Sequence, residues 1–248
     1  MIYAAITAAQ AAGERLRQAF GHDLHVNEAT AHDIKLAADV ECQALIYGIL
    51  LDHFPKTRCI GEEGDSDNPG DPNAEVEWIV DPIDGTLNLA HNIPHFCVSI
   101  AAREVATQKI LFGVIYDPMR NELFTAQRGS GTYLNGIKQK VSTRAKLSDA
   151  VLAVGFAKSQ ESIDHCLKLY QVYGNAARKL RAMGSAALDL AYVSVGRLDA
   201  YIEQGVNLWD IAAGIVLVEE AGGVVETEQK KGKYRVCAHS GRIEYPLK

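Results

Sequence analysis

Glu77-Trp78-Ile79-Val80-Asp81-Pro82-Ile83-Asp84-Gly85-Thr86 is the stretch on which the reading of this chain turns. Val76 to Val80 reads as a buried strand rich in β-formers, and it delivers Asp81 at its C-terminal end. Pro82 fixes its own φ and holds Asp81 extended. Asp84 follows closely, so a tight turn aims both carboxylates and the Ile83 carbonyl into one space. Carboxylates with a backbone oxygen form a hard-donor set that suits Mg²⁺, Mn²⁺ or Ca²⁺ rather than softer metals. Gly85 permits close backbone approach. Thr86 opens a short predicted helix, ended by Pro94, whose free N–H groups suit a phosphate. A plainer alternative stays open on these residues alone. Asp-Pro and Asp-Gly are common turn pairs, so Asp84 would cap that helix and Asp81 would simply sit in a turn.

Two further acidic elements bear on the choice. Cys59-Ile60-Gly61-Glu62-Glu63-Gly64 places Glu62 just past a second strand-like run, Thr57 to Ile60. Glu203-Gln204-Gly205-Val206-Asn207-Leu208-Trp209-Asp210 ends a strand at Glu203 and starts a helix near Asp210. Taken singly, Glu62 reads as a solvated loop residue and Asp210 as an N-cap. Carboxylates converging at strand ends repel one another unless a divalent cation binds among them.

The surrounding pattern predicts helices over residues 2–20 and 33–54, the second stopped by Pro55. Residues 64–74 are polar and turn-rich, hence a loop. Phe96–Ala102, Ile110–Tyr116, Glu122–Ala126 and Thr132–Leu134 read as strands, and Asn135-Gly136 closes a hairpin into Ile137–Val141. Beyond about residue 145 strand-like runs (Val151–Phe156, Lys179–Met183, Leu198–Glu203, Gly223–Thr227, Tyr234–Ala238) alternate with helical ones (Glu161–Tyr173, Ser185–Val195, Asp210–Ala221). The organisation expected is an N-terminal α+β half, residues 1–145, carrying most of the acidic candidates, and a C-terminal α/β half, residues 146–248, in one compact body. Lys230, Lys231 and Lys233 read as a solvated turn.

Composition narrows the function classes. At 248 residues, 48% hydrophobic and 23% charged, the chain can bury a real core and is not disordered. Its 25 Lys and Arg against 31 Asp and Glu give a net charge of −6, which argues against nucleic acid as the main partner. A small phosphorylated ligand remains compatible if something cancels the local negative charge. The 5 cysteines are scattered, odd in number and form no CxxC pair, so neither a zinc site nor a disulfide framework is expected. The longest apolar run, Ala44 to Leu51, is too short for a membrane span. Glu14, Arg15 and Arg17 interrupt the N-terminal segment, unlike a signal peptide. The expected location is cytoplasmic, with no membrane partner. No P-loop and no Gly-x-Ser-x-Gly elbow is present.

With these residues in view the chain resembles the inositol monophosphatase family, within the wider Mg²⁺-dependent, lithium-sensitive sugar phosphatases. The resemblance rests on Gly61-Glu62-Glu63, on Trp78 to Thr86 with Asn88 and Pro94, and on Gly113-x-x-Tyr116-Asp117-Pro118. Gly129-x-Gly131 through Asn135-Gly136, Gly184-Ser185-Ala186, and Asp199 to Glu203 followed by Trp209-Asp210 extend it over about residues 28 to 225. It implies a layered α-β-α-β-α sandwich, usually a homodimer. It implies two or three Mg²⁺, with Mn²⁺ as a substitute, on Glu62, Asp81, the Ile83 carbonyl, Asp84 and Asp210. Thr86 would hold a water, paired with Asp39, and Glu62 would lie near the same water. Gly85 and Thr86 would hold phosphate, and Gly184, Ser185, Ala186, Glu203 and Asp210 would face the substrate's hydroxyls.

The activity implied is hydrolysis of a small polyol phosphate, with myo-inositol monophosphate as the leading substrate. Fructose 1,6-bisphosphate, histidinol phosphate and 3′-phosphoadenosine 5′-phosphate stay open, with Arg178, Lys179 and Arg181 as candidate second anchors. A non-catalytic metal-binding scaffold is the alternative of another class. The sequence departs from the family at Glu28, where a lysine is common, with Lys35 nearby. It departs again at Leu36-Ala37-Ala38 before Asp39, and at Asn207, where histidine is frequent. His91 and His95 are assigned to hydrogen bonding within the turn, and Trp209 to packing at a helix start.

Overall fold

The computed structural model describes residues 1–22, 26–29, 34–63 and 69–243. The chain opens with α1 (Ile2–Ala19), β1 (Val26–Ala29), β2 (Ile34–Leu36), α2 (Ala37–His53) and β3 (Arg58–Gly61). There follow β4 (Val76–Asp84), α3 (Thr86–Ala90), β5 (Cys97–Glu104), β6 (Ile110–Asp117), β7 (Glu122–Gln127), β8 (Gly131–Leu134) and β9 (Ile137–Gln139). The remainder is β10 (Val151–Val154), α4 (Gln160–Tyr173), β11 (Lys179–Arg181), α5 (Ala186–Ser194), β12 (Ala200–Val206), α6 (Leu208–Glu220), β13 (Val224–Lys230) and β14 (Lys233–His239).

Five layers result. A 7-stranded sheet runs in the order β3-β4-β5-β6-β7-β8-β9, parallel between β3 and β4 and antiparallel elsewhere. α1 and α2 cover its outer face, where Ala5, Ala8, Ala12 and Leu16 recur at helical spacing and are fully buried against Ile46, Leu50, Trp78 and Val80. α5 and α6 form the middle layer. There Leu188, Ile211 and Val216 pack with Ile79, Ile115 and Phe124 of this sheet and with Tyr201 and Val236 of the other. The second sheet is 5-stranded, β11-β10-β12-β14-β13, and α4 covers its far side through Cys166, Leu169 and Tyr173. The layering is therefore α-β-α-β-α. Gly113 lets α6 settle on β6: a Cβ there would meet the Ala213 carbonyl oxygen at 2.6 Å.

Several boundaries differ from those the pattern predicts. The second helix starts at Ala37, because Ile34–Leu36 pairs antiparallel with Val26–Ala29. That register sets Glu28 opposite Lys35, and their side chains lie outside the described residues. Of the predicted loop over 64–74, residues 64–68 lie outside the described residues. Its end is pinned by Cys59 N–H to the Pro69 carbonyl and Asp71 N–H to the Thr57 carbonyl, both 2.9 Å. β4 does not stop at Val80 but continues to Asp84, with a register shift against β5 between Asp81 and Asp84. Pro82 lies beyond the last β3 pairing, Gly61 with Val80, so its missing N–H costs no ladder bond there. The C-terminal sheet is mixed: β10 is parallel to β11 and β12, whereas β14 is antiparallel to β12 and β13. Among the described residues no helix is long and apolar enough to cross a membrane. All 5 cysteines are free and buried.

Candidate active site

β4 is buried on both faces, and its period-two alternation sorts its side chains. Trp78 and Val80 face the α1–α2 core, whereas Ile79 faces the middle helices. Asp81 shares the parity of Ile79, which turns it toward the middle layer. It is buried, and its Oδ1 accepts from the Ile83 N–H at 3.0 Å, bending the strand end. Burial first, then the charges of Glu62, Asp84 and Asp210, push the Asp81 carboxyl well above its ordinary range. Those mutual effects put the four acids of the sequence reading in one neighbourhood.

Asp84 does not cap the helix that follows it. The N-cap of α3 is Gly85, in the left-handed region at φ 99, where a Cβ would meet the carbonyl oxygens of His95 and Gly184 at 3.0 and 3.2 Å. Asp84 instead reaches the start of α5. It accepts from Ser185 Oγ at 2.6 Å, Ala187 N–H at 2.6 Å and Ala186 N–H at 3.3 Å. Ser185 is the N-cap of α5, its Oγ also accepting from the Leu188 N–H at 3.3 Å. Burial raises the Asp84 carboxyl to about 6, against the lowering effect of these donors.

Asp210 sits in the first turn of α6, not at its cap. The helix begins at Leu208 with Asn207 as N-cap, and Asp210 Oδ2 accepts the Asn207 N–H at 2.7 Å. Burial, then Asp84, pushes Asp210 up to about 8. Glu62 is half-buried, on a loop held by Gln43 of α2. The Gln43 Oε1 accepts the Glu63 N–H at 3.0 Å, and its Nε2 donates to the Glu63 carbonyl. Asp39, buried in the first turn of α2, lies 3.3 Å from Thr86 Oγ1, and the Ile83 carbonyl lies 2.9 Å from the same hydroxyl.

On the far side, Glu203 is pushed up to about 7 by burial and accepts from the Tyr201 hydroxyl at 2.7 Å. Behind it Asp189 of α5 is buried, its Oδ1 unpartnered among the described residues. Burial, then Glu203 and Asp84, raise its carboxyl far above the usual range. Asn88 ties the two halves of the site. Its Nδ2 lies 2.8, 3.0 and 3.2 Å from the carbonyls of His95, Met183 and Gly184. Gln43 and Asp189 carry no sequence signal for these roles. Asn88 and Tyr201 are flagged only as part of the resemblance. The His95 ring makes no hydrogen bond in the turn: it is buried edge-on to Tyr192, and its Nε2 is unpartnered among the described residues. Burial lowers it to about 4. Arg178, Lys179 and Arg181 lie on or beside β11 at the edge of the second sheet, with Arg178 paired to Asp149 at 2.8 Å.

Among the described residues no group of three His, Cys, Asp or Glu side chains converges closely enough to hold a metal as it stands. The chemistry nevertheless fits a hard cation. The donors are all oxygen: Asp81 and Asp84 are buried and Asp210 half-buried, and burial raises the proton affinity of all three, with neighbouring charge adding to it at Asp81 and Asp210. A carboxylate offers about four lone-pair positions, so the bonds to α5 leave Asp84 acceptor capacity.

Comparison with known proteins identifies the fold and the family. The profile of the inositol monophosphatase family matches residues 1–245. A Xylella fastidiosa protein named Nus factor SuhB is 41% identical over 223 residues, 89% of this chain and 79% of the relative. The crystal structure of extragenic suppressor protein suhB from Bartonella henselae superposes with a TM-score of 0.88 at 35% identity, covering 97% of this chain and 94% of that one. Inositol monophosphatase from Anabaena gives a TM-score of 0.83 at 37% identity, covering 96% and 89%. The strand that bends at Asp81 and the helix start that receives Asp84 thus lie in a fold shared nearly end to end, and this chain belongs to the inositol monophosphatase family.

Proposed function

We propose that this chain hydrolyses phosphate monoesters of small polyols with the help of divalent cations, and that myo-inositol monophosphate is the first substrate to try. The observation that carries this reading is that Glu62, Asp84 and Asp210, distant in sequence, all lie near enough to Asp81 for their charges to push its buried carboxyl up. Glu62, Asp81, the Ile83 carbonyl, Asp84 and Asp210 would hold two or three Mg²⁺, for which Mn²⁺ could substitute. When bound, such cations supply positive charge to a phosphate dianion and make water acidic enough to react near neutral pH.

The chain's own part is positioning. Asp39 would take the Thr86 hydrogen bond, leaving the Thr86 oxygen to accept from and orient the attacking water, with Glu62 beside it. The backbone N–H groups of Gly85 and Thr86 would hold phosphate at the start of α3. Ser185 and Ala186 would act by fixing Asp84, and Gly184 by giving Asn88 a carbonyl to hold. Glu203 and Asp210 would accept hydrogen bonds from substrate hydroxyls. We further propose a cytoplasmic homodimer.

The test is phosphate release from a panel of monoesters with and without Mg²⁺. Release that requires Mg²⁺ and is fastest with a polyol phosphate is the expected result. Release independent of metal, or none from any ester, overturns the reading. The Nus factor name of the Xylella relative favours a second reading, a non-catalytic factor that retains the fold. Absence of turnover with an intact metal-dependent rise in melting temperature would select it.

A further inference from the structure

On the outer side of the second sheet, α4 packs on β10, β12 and Cys237 of β14, and no described residue of β13 belongs to that core. The hairpin face beyond Cys237 is left open. A groove of about 540 Å³ runs there, walled by β12, the β13–β14 hairpin and the start of α4, whose N-cap is Ser159. Tyr201 packs in the middle layer, on the other face of β12, so the groove is separate from the carboxylate site.

Arg235 shares the parity of Cys237 and so faces the groove, opposite Gln204 on β12 and Glu228 on β13. Its Nε is buried with no hydrogen-bond partner among the described residues. The same holds for Nε2 of His165, whose ring feels the Arg235 charge. A guanidinium without an acceptor is unfavourable, and an anion in the groove would supply one. Lys231, exposed in the hairpin turn, lines the same groove, and neither it nor Arg235 is in an ion pair among the described residues. Lys230 is cancelled by Glu161 at 2.8 Å, which leaves Lys231, Lys233 and Arg235 against Glu228. The N-terminus of α4 adds partial positive charge on the remaining wall. Lys233 donates to a neutral acceptor, Asn207 Oδ1. Hydrogen bonds to an ionised acceptor are about twice as strong, so an anion within reach would take Lys233 over.

We infer that this groove binds the phosphoryl group of a small molecule, apart from the carboxylate site, and that Lys233 leaves Asn207 to join Lys231 and Arg235 on it. Three cations suit a dianion with three acceptor oxygens better than a carboxylate. A polyanion is disfavoured, because Glu161 and Glu228 flank the groove and the chain as a whole carries −6. The volume leaves room for a small organic body beside the phosphoryl group. Asn207 is the N-cap of α6, and its N–H bonds Asp210 at 2.7 Å, so occupancy of the groove is felt at the start of the helix that carries Asp210.

The test uses the full chain without metal, where the acidic site repels phosphate, and needs no turnover, so it stands however the monoester panel falls. Inorganic phosphate and ribose 5-phosphate are titrated at constant ionic strength. Calorimetry reads affinity, and the NMR signals of Arg235 Nε–H and the Asn207 side-chain amide read position. Saturable binding that shifts both signals is expected. Lys231→Gln/Arg235→Gln should weaken it at least about tenfold, the loss of a charge-assisted contact. Lys179→Gln/Arg181→Gln removes equal charge from β11, at the opposite edge of the sheet from β13, and should change it less than about twofold. Should the first double variant fail to fold, Lys231→Gln alone, set against Lys179→Gln, carries the same comparison. No saturable binding, equal weakening by both charge removals, or saturation without an Asn207 shift overturns the inference. Tighter binding of ribose 5-phosphate than of phosphate supports it with an organic phosphate as the ligand, and equal affinity supports it with the free ion.

Discussion

Asp84 and Ser185 meet through a 2.6 Å hydrogen bond across a sequence separation of 101 residues. The bond joins the bent end of β4 to the first turn of α5, so a strand of the first sheet is anchored on a helix of the middle layer. Ser185 has two duties there: it donates to Asp84 and caps its own helix through Leu188. Ser185→Ala should therefore cost about 1 kcal/mol of stability as a lost cap. It should also lower Mg²⁺-dependent turnover about 10- to 100-fold, as expected when a metal ligand loses its supporting partner. Urea denaturation and phosphate release at varied Mg²⁺ separate the two effects. An unchanged Mg²⁺ requirement would show that Ser185 does not position Asp84.

The raised carboxyls make a sign-definite prediction about pH. Asp84 and Asp210 titrate at about 6 and 8 in the folded chain, against 3.8 when unperturbed. Between those values the folded, metal-free protein keeps protons that the unfolded chain has released, so stability falls as pH rises. The melting temperature without metal should thus decline between about pH 7 and about pH 8, where Asp210 still holds its proton in the fold; below that, His95, at 6.5 when unperturbed and lowered to about 4 in the fold, works in the opposite sense. Mg²⁺ should raise it more at the upper end, since ionised carboxylates bind the cation. Asp210→Asn should flatten the decline while abolishing most turnover. A metal-free melting temperature that climbs across this window would contradict the shared burial of these acids.

A second buried carboxylate serves the scaffold instead. Glu77 is fully buried between Arg58 at 2.7 Å and Arg103 at 2.6 Å, one on each neighbouring strand of β4. Glu77→Ala leaves two guanidinium groups facing a hole and should cost about 3 to 5 kcal/mol, the usual result of breaking one side of a buried pair. Turnover per folded molecule should stay near that of the wild type, because the acids at the other end of β4 keep their partners. Chemical denaturation with activity normalised to folded protein distinguishes this from a catalytic role.

What could be read from the sequence was local. Asn135 and Gly136 adopt left-handed φ of 48 and 78, as the dipeptide requires between β8 and β9. β4 announces itself through consecutive apolar β-formers because it is covered on both faces. Partnerships across the chain were not legible. Asn88 is an ordinary polar residue of a short helix until it meets carbonyls near residue 184. Gln43 reads as one more helical position until it closes on Glu63. Asp84 beside Gly85 suggests a cap for the helix next to it, and only the three-dimensional approach of α5 shows which helix it serves. Ile34–Leu36 reads as part of the helix over 33–54 because three residues are too few to display a period of their own.

The Thr86 hydroxyl has one hydrogen and two acceptors in reach, the Ile83 carbonyl at 2.9 Å and Asp39 Oδ1 at 3.3 Å. The two bonds have opposite consequences. Donation to Ile83 takes one of the two lone pairs of a carbonyl assigned to the metal set, whereas donation to Asp39 leaves both free and ties the hydroxyl's orientation to Asp39 as its oxygen accepts from a water. The proposed chemistry needs the second arrangement, so Asp39 and Thr86 should behave as one unit. Thr86→Ala and Asp39→Ala should each lower kcat by about 10² to 10⁴, the range for a lost proton-handling group. The double variant should then be scarcely worse than either single one, a coupling that a double-mutant cycle measures directly. Additive losses would mean that Asp39 acts at the start of α2 independently of the hydroxyl, and the relay from Asp39 through Thr86 would have to be given up.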